Sequence, residues 1–473
     1  MSDRSENLTD GRVERQIVRI SAPMSLGIFS VLAIGLADAY FLARAGDAAL
    51  AAVGFVYPVI VAVTAFSVGL SAGANAALSQ ARGGERNAAA VSRLGLHATL
   101  LGLAAGLAIA SVFWLAASPL FSALGAKGEV LDNILVYLPW WIASFPVLVV
   151  TMILNAAFRA AGDGVTAAAA MVVTAALNIG FTPVLIFGYG PLPAMGMEGA
   201  GLGTFLARAI ALAGLGFLTL KRGMIAPGRQ PFEGFAASAR EIVGIALPAG
   251  LSRAINPAGL AVVTAAVATV GDVAVAGFGA ASRIQAIALV PFFALASGLG
   301  PVVGQAWGAG DATRARSAMR SAAWFCVAYG GALAIVLTVF AQPIAAVMTA
   351  GNDPAPYTEQ YLRFVGWSLA GYGLAVSANA AMTARSRAGW AMGLSLVRIG
   401  VFYIPLAWLG VLTIGYPGIL AAAAVTNVAA FWAALVVTRA TKIGPSGARP
   451  VRAPAEGLAR LAGPGEPGHH GTR

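Results

Sequence analysis

A chain of 473 residues that is 59% hydrophobic and only 10% charged lacks the polar side chains a water-soluble surface would need, since soluble domains carry roughly 25% charged residues. The formal net charge of +11 is spread over short loops rather than gathered on one domain, which argues against nucleic acid and for the basic loops that mark one side of a membrane protein. The single cysteine, Cys326, sits in an apolar run between Trp324 and Val327, which excludes an internal disulfide framework and a multi-cysteine metal site.

Residues 1–19 are charged and polar, with no cleavable leader pattern, and are expected to stay in the cytoplasm. Beyond them come apolar runs of the ~20 residues that a helix needs to cross the hydrocarbon core. Twelve are predicted, at 20–43, 50–78, 92–118, 134–158, 165–188, 197–220, 242–270, 274–303, 318–342, 360–384, 389–414 and 416–440. The expected fold is an all-α integral membrane protein of about 12 transmembrane helices, in two related six-helix bundles around a central cavity. The first lobe is 20–220 and the second 242–440, joined by a cytoplasmic linker at 221–241. Residues 441–473, rich in Pro, Gly and Arg with an isolated His469–His470 pair, are expected to form a disordered cytoplasmic tail.

Basic residues set the expected orientation. Arg82, Arg86 and Arg93 follow span two, Lys221, Arg222, Arg229 and Arg240 follow span six, Arg314, Arg316 and Arg320 follow span eight, and Arg385 and Arg387 follow span ten. The opposite loops offer mainly Arg44, Lys127 and Arg363. That asymmetry places both termini inside, in a multi-pass cell membrane.

The two lobes repeat. Pro23 and Pro248 are 225 positions apart, and the same offset pairs Asp47 with Asp272, Gly54 with Gly279, Gly73 with Gly298, Gln80 with Gln305 and Gly83 with Gly308. Asn155-Ala156-Ala157 then matches Asn379-Ala380-Ala381 at 224, and Gly196 matches Gly415 at 219. One register held over sixty residues points to duplication. Two similar bundles can rock about a central site and open it to either side, which is the logic of a transporter.

Ionisable groups within spans ask for a reason, because a charge at the bilayer centre costs at least ~2.5 kcal/mol. Asp38 is the one carboxylate well inside a span, ~8 Å from the outer end of its helix, and is a candidate ion-coupling group. Asn178 and Thr182 share a face of span five, and Thr204 reaches a similar depth on span six; Asn155 on span four lies nearer the cytoplasm. Arg208, Arg253, Arg283 and Arg398 also fall within spans. Arg253, Asn256, Arg283, Asn379 and Arg398 are candidate substrate-cavity residues. His97 reads as hydrogen-bonded packing rather than a proton relay, and no nucleotide-binding P-loop appears.

The pattern resembles the multidrug and toxic compound extrusion (MATE) family over about residues 15 to 440. The resemblance rests on Pro23 with Asp38, Ala49 to Gly54, Gly69-Leu70-Ser71-Ala72-Gly73, Ser79-Gln80, Arg159-Ala160-Ala161-Gly162-Asp163, Leu177-Asn178-Ile179, and Gly199-Ala200 through Thr204. It implies an antiporter that exchanges protons or sodium for a small organic substrate, with no cofactor and no enzymatic activity. It also implies a coupling site in the first lobe, where Asp38, Asn155, Asn178 and Thr204 fall on matching positions. Thr182 stands where one branch often carries a second Asp, which favours protons over Na⁺.

Export of amphipathic drugs or metabolites is the leading expectation. The arginines within spans keep an anionic natural product or organic acid open as substrate. A lipid-linked saccharide flippase is a second transporter reading, and an intramembrane enzyme is disfavoured because no paired acids or nucleophile-base set is found.

Overall fold

The protein, as a computed structural model, describes residues 8–84, 87–226 and 230–445. In the first half each span is one helix: α1 (Val13–Ala45), α2 (Asp47–Gly83), α3 (Ala88–Ala123), α4 (Gly128–Ala160), α5 (Gly164–Phe187) and α6 (Gly196–Lys221). The second half is more interrupted. After α7 (Phe235–Ala268), the eighth span divides at Leu289 into α8 (Asp272–Ala288) and α9 (Val290–Gly308), and α10 (Ala312–Val339) is followed by the short α11 (Ala341–Met348). The tenth span is α12 (Ala355–Val365), a 3₁₀ turn at Gly366–Ser368 and α13 (Leu369–Ala384). The eleventh is α14 (Ala388–Leu396), a π-helical turn at Val397–Tyr403 and α15 (Ile404–Ile414), and α16 (Tyr416–Ala440) completes the bundle.

Among the described residues, eleven spans are long and apolar enough to cross a bilayer. The twelfth expected one, at 360–384, is present but cut by the 3₁₀ turn, so neither piece alone has the ~20 residues a crossing needs. Large apolar side chains such as Leu115, Val347 and Leu412 face outward while Asn75, Asn178 and Gln305 are buried. That inversion suits a lipid solvent. Among the described residues, the one β feature is an isolated bridge between Tyr189 and Leu192 in the α5–α6 loop.

Duplication is visible in backbone conformation. Gly46 and Gly271, 225 positions apart, join α1 to α2 and α7 to α8, and both adopt φ near +137° with an extended ψ. An L side chain is strained at that φ, so only glycine turns the chain there cheaply. Side-chain caps start α3, α5 and α10: Asn87 accepts from the Ala90 N–H at 2.8 Å, Asp163 from Thr166 at 2.9 Å and Asp311 from Arg314 at 2.8 Å. Each satisfies an orphan donor of the first turn.

The halves meet through close backbone contact near the face that carries both chain ends. A Cβ built on Gly69 of α2 would lie 2.5 Å from Gly250 Cα of α7, and one on Gly73 would lie 2.6 Å from the Ile242 carbonyl. Further along, Gly83 packs on the Gln305 carbonyl and Gly308 on the Gln80 carbonyl. The same two glutamines reach across: Gln80 Nε2 donates to the Ala384 carbonyl at 2.6 Å, and Gln305 Nε2 to the Ala160 carbonyl at 2.8 Å. Ala160 and Ala384 are 224 positions apart, so these two bonds are mates about the pseudo-twofold axis.

Ends and linker are tied down. The first helix starts about two turns ahead of the apolar run at 20, and Arg314 donates to the Leu8, Asp10 and Gly11 carbonyls. Ile443 is buried and the Pro445 carbonyl accepts from Arg320, so the start of the expected disordered tail folds back on the bundle. Its remainder, with His469 and His470, lies outside the described residues, as do Arg86 and Arg229. In the linker, Glu233 pairs with Arg93, and His97 contacts Ser238 Oγ at 2.9 Å and donates to the Pro231 carbonyl at 2.8 Å. His97 therefore packs the linker onto α3.

Two outcomes follow from this packing. Gly69→Ala forces backbones apart and should lower stability by about 1–3 kcal/mol, whereas Gly54→Ala, with open space around it, should change it little; thermal unfolding in detergent separates them. Burial works to raise the Asp163 carboxyl, but hydrogen bonds from Thr166 and Arg222 outweigh it and hold the group below its ordinary 3.8. Its stabilisation is complete above that value and lost as pH falls through the lower folded value. Asp163→Ala should cost ~1 kcal/mol at neutral pH, and unfolding compared at pH 7 and in acid should show the gap closing.

Candidate functional site

A cavity of about 330 Å³ lies between the halves, walled by α2, α4, α7, α9, α13 and α14. It sits on the pseudo-twofold axis. Val68, Ser71, Ala72 and Asn75 of α2 line it together with Phe293, Ala296, Ser297 and Gly300 of α9, and each of these four pairs is separated by 225 positions.

Two cations enter the cavity, one from each half, and among the described residues no Asp or Glu lines it. Arg159 comes from the last turn of α4, where a cation is favoured by the exposed carbonyls of the helix end. Its Nη2 donates to Ser71 Oγ at 3.2 Å, and its Nε is buried without a partner. Ser71 and Asn75 also donate to the Met152 and Ala156 carbonyls of α4 at 2.9 and 3.1 Å, which fixes α2 against α4. Arg253, on α7 just beyond the Gly250 crossing, is an exposed side chain that lines the cavity. Both residues line the same cavity, and like charges facing one space repel.

The second half surrounds Arg253 with neutral polar groups. Asn379 Nδ2 donates to Ser395 Oγ at 3.0 Å, Ser395 is 2.7 Å from Ser252 Oγ, and Asn379 Oδ1 is buried without a partner. Arg398 stands behind this wall, on the π-helical turn. It donates to Asn256 Oδ1 and, at 3.4 Å, to Asn427 Oδ1, and its guanidinium lies 4.8 Å from the Tyr372 ring centre. Asn427 in turn donates to Ser368 Oγ of the 3₁₀ turn at 2.9 Å. Both irregular turns thus present side chains to one network, a common use of broken helices in membranes.

In the first half, Asp38 on α1 is part-buried, with Oδ1 lacking a hydrogen-bond partner. Its electrostatic neighbours are Arg208 of α6 and Tyr137 of α4. Arg208 makes no ion pair with it within 4 Å among the described residues; it donates instead to Ser144 Oγ at 2.6 Å. Asn178 Nδ2 donates to Thr204 Oγ1 at 3.3 Å, whereas Thr182 Oγ1 and Asn155 Oδ1 are buried without partners.

The structure therefore joins Asn178 to Thr204, and hydrogen-bonds neither to Asp38. Arg253, Asn256 and Asn379 line the cavity and Arg398 braces it, but Arg283 is exposed on α8 and does not line it. Arg159, Arg208 with Ser144, and Tyr137 were not among the candidate site residues. Helical counting placed Arg159 one residue past the fourth apolar run, although its repeat mate, Thr383, also lines the cavity.

The repeat explains more of this chemistry. Ser144 and Ser368 are 224 positions apart, and Arg208 and Asn427 are 219 apart, so the Arg208–Ser144 bond of one half is the Asn427–Ser368 bond of the other. Asn178 and Arg398 are 220 apart, inside the matching Ile179-Gly180 and Ile399-Gly400. Each half thus keeps one Arg and one Asn at these positions, on exchanged helices.

Comparison with known proteins agrees with the duplication. The MatE family model matches residues 23–184 and, a second time, 248–409. A Shewanella oneidensis protein named FAD transporter is 32% identical over 432 residues, covering 90% of this chain and 94% of its own. The probable multidrug resistance protein YpnP of Bacillus subtilis is 25% identical, covering 86% and 92%. Among solved structures, the Vibrio cholerae MATE transporter VcmN in the bent form superposes with a TM-score of 0.85 at 28% identity, over 91% of this chain and 97% of that one.

Arg398→Leu leaves the Asn256 and Asn427 oxygens without their donor and should destabilise by about 1–3 kcal/mol. Arg283→Leu, at an exposed site, should change stability by no more than ~0.5 kcal/mol. Thermal unfolding of the two purified variants checks the contrast.

Proposed function

The chain belongs to the MatE family of membrane transporters, and from that premise we propose that it is a proton-driven antiporter that exports a large organic anion. The observation that carries this reading is the cavity between the halves, which presents Arg159 and Arg253 and, among the described residues, no carboxylate. Cationic drugs would meet like charge there, and an anion would pair with two guanidiniums that no carboxylate of the cavity lining neutralises. The name of the Shewanella protein supports a flavin dinucleotide as the cargo. FAD carries phosphates for the arginines and a flat ring system for an aromatic wall such as Phe293 and Tyr372. Those same aromatics, with relatives named for multidrug resistance, favour amphipathic drugs or metabolites as a second reading.

Coupling is assigned to Asp38. A carboxyl on a membrane-spanning helix, with one oxygen unpartnered and a cation on a neighbouring helix, alters its local electrostatics on gaining or losing a proton, and this can bias the two halves towards different arrangements. With Thr182 rather than a second acid close by, protons suit the site better than Na⁺. Asn178, Thr204 and Asn155 supply neutral oxygens around the path.

The face that carries the chain ends is assigned to the cytoplasm of a bacterial inner membrane. Arg82, Arg93, Arg222, Arg240, Arg314, Arg320, Arg385 and Arg387 support it by the positive-inside rule.

Proteoliposomes with an imposed pH gradient, and separately a sodium gradient, test the reading with FAD, simple organic anions and cationic dyes as cargo. Proton-driven movement of anions is expected. Asp38→Asn, a neutral near-isostere, should cut that movement at least about tenfold, equivalent to ~1.4 kcal/mol, while the protein stays folded. Undiminished proton-driven efflux by the variant would remove Asp38 from coupling, and efflux restricted to cations would overturn the anion assignment.

A further inference from the structure

Arg159 and Arg253 belong to opposite halves, and neither charge is neutralised. Among the described residues neither forms an ion pair; the one hydrogen bond that Arg159 makes is to the Ser71 hydroxyl, and its Nε has no partner. The fold does not require either cation. At the repeat mate of Arg159 stands Thr383, and 225 positions before Arg253 stands Ile28. Each half therefore builds the equivalent helix without the charge, and both charges converge on one cavity.

Both cations are held beside one helix crossing. α2, which holds Arg159 through Ser71, crosses α7 at Gly69 and Gly250, less than a turn from Ser71 on one side and Arg253 on the other. Like charges facing one cavity repel, and an anion between them reverses the sign. Geometry also selects the anion. Each guanidinium is a planar fork that takes two oxygens at once. A phosphate monoester has three terminal oxygens and cannot give a separate pair to each of two forks, whereas a diphosphate diester has two phosphorus atoms with two free oxygens each.

Resting on the organic-anion reading above, we propose that the diphosphate of a dinucleotide bridges Arg159 of the first half and Arg253 of the second. The ligand itself then supplies the attraction that holds the two halves together around it. A substrate with one phosphate engages one fork well, and a substrate with none leaves the two cations opposed.

The test uses the full chain in proteoliposomes under a pH gradient, with riboflavin, FMN and FAD carrying no, one and two phosphates. The wild-type protein should move FAD faster than FMN, and FMN faster than riboflavin. Arg159→Gln and Arg253→Gln should each reduce the FAD-to-riboflavin rate ratio by about tenfold or more, in line with loss of charge-assisted hydrogen bonds. The double variant should have a ratio no lower than the worse single one, because either change alone breaks the bridge. Arg159→Lys and Arg253→Lys keep the charge and lose the fork, and should narrow the gap between FAD and FMN; they carry the test if a Gln variant does not fold. Wild-type protein that moves cations and no organic anion overturns the export reading and the bridge with it. Wild-type protein that moves FAD, with either Gln variant keeping the ratio or the two losses multiplying in the double variant, overturns the bridge and leaves anion export standing.

Discussion

Where α2 crosses α7, Gly69 and Gly250 let two helix backbones meet with no side chain between them, and much of the bundle is arranged around that contact. In a bilayer there is little hydrophobic gain in joining one apolar helix to another, so association depends on close packing and on hydrogen bonds. Both are concentrated at the same end of this molecule. The Gly83 and Gly308 contacts extend the crossing, and the reciprocal bonds from Gln80 and Gln305 lock α2 and α9 onto the opposite halves. The Leu8 N–H donates to Gln305 Oε1 at 2.9 Å, which ties the chain start into the same knot.

That knot determines where polar groups can be placed. The free space opens beside the same crossing, between α2 and α9, and its lining includes four pairs of positions that the duplication relates. Ser71 and Asn75 bind carbonyls of α4 within their own half, which joins α2 to α4 beside the cavity. The second half is built differently: its 3₁₀ and π-helical turns carry Ser368 and Arg398 to a shared partner, Asn427. One half offers unbroken helices and an acid, and the other offers broken helices and a braced cation.

The spans and the repeat were legible in the sequence because lipid imposes a simple rule on length and composition, and duplicated glycines keep their register. Irregular turns were not legible. The 3₁₀ turn holds Gly366, Trp367 and Ser368 and no proline, and the π-helical turn, also without proline, carries Arg398 within an apolar run, so neither contains the residue that most often breaks a helix. The candidate site was legible by type more than by place. Counting along helices put Asp38, Asn178 and Thr204 at similar depth, but depth does not tell which side of a helix meets which neighbour, and Asp38 proves to be near Tyr137 and Arg208. Arg159 escaped because a helix continues past its apolar run, and Arg283 was included because being within a span says nothing about facing a cavity.

The exchange of Arg and Asn between the halves bears on how such a chain came to exist. Two separate copies of one six-helix unit, paired about a true twofold axis, must carry every side chain in duplicate. An arginine at the position of Arg253 would then appear twice around the cavity, and an acid at the position of Asp38 would also appear twice. Covalent fusion cancels that obligation. Once both units lie in one reading frame, each position can be altered singly, and a symmetric shell can acquire a direction: an acid in one half only, and cavity cations at positions that are not repeat mates. Thr383 opposite Arg159, and the fully buried Val263 at the repeat mate of Asp38, are two of the positions at which the two halves no longer match.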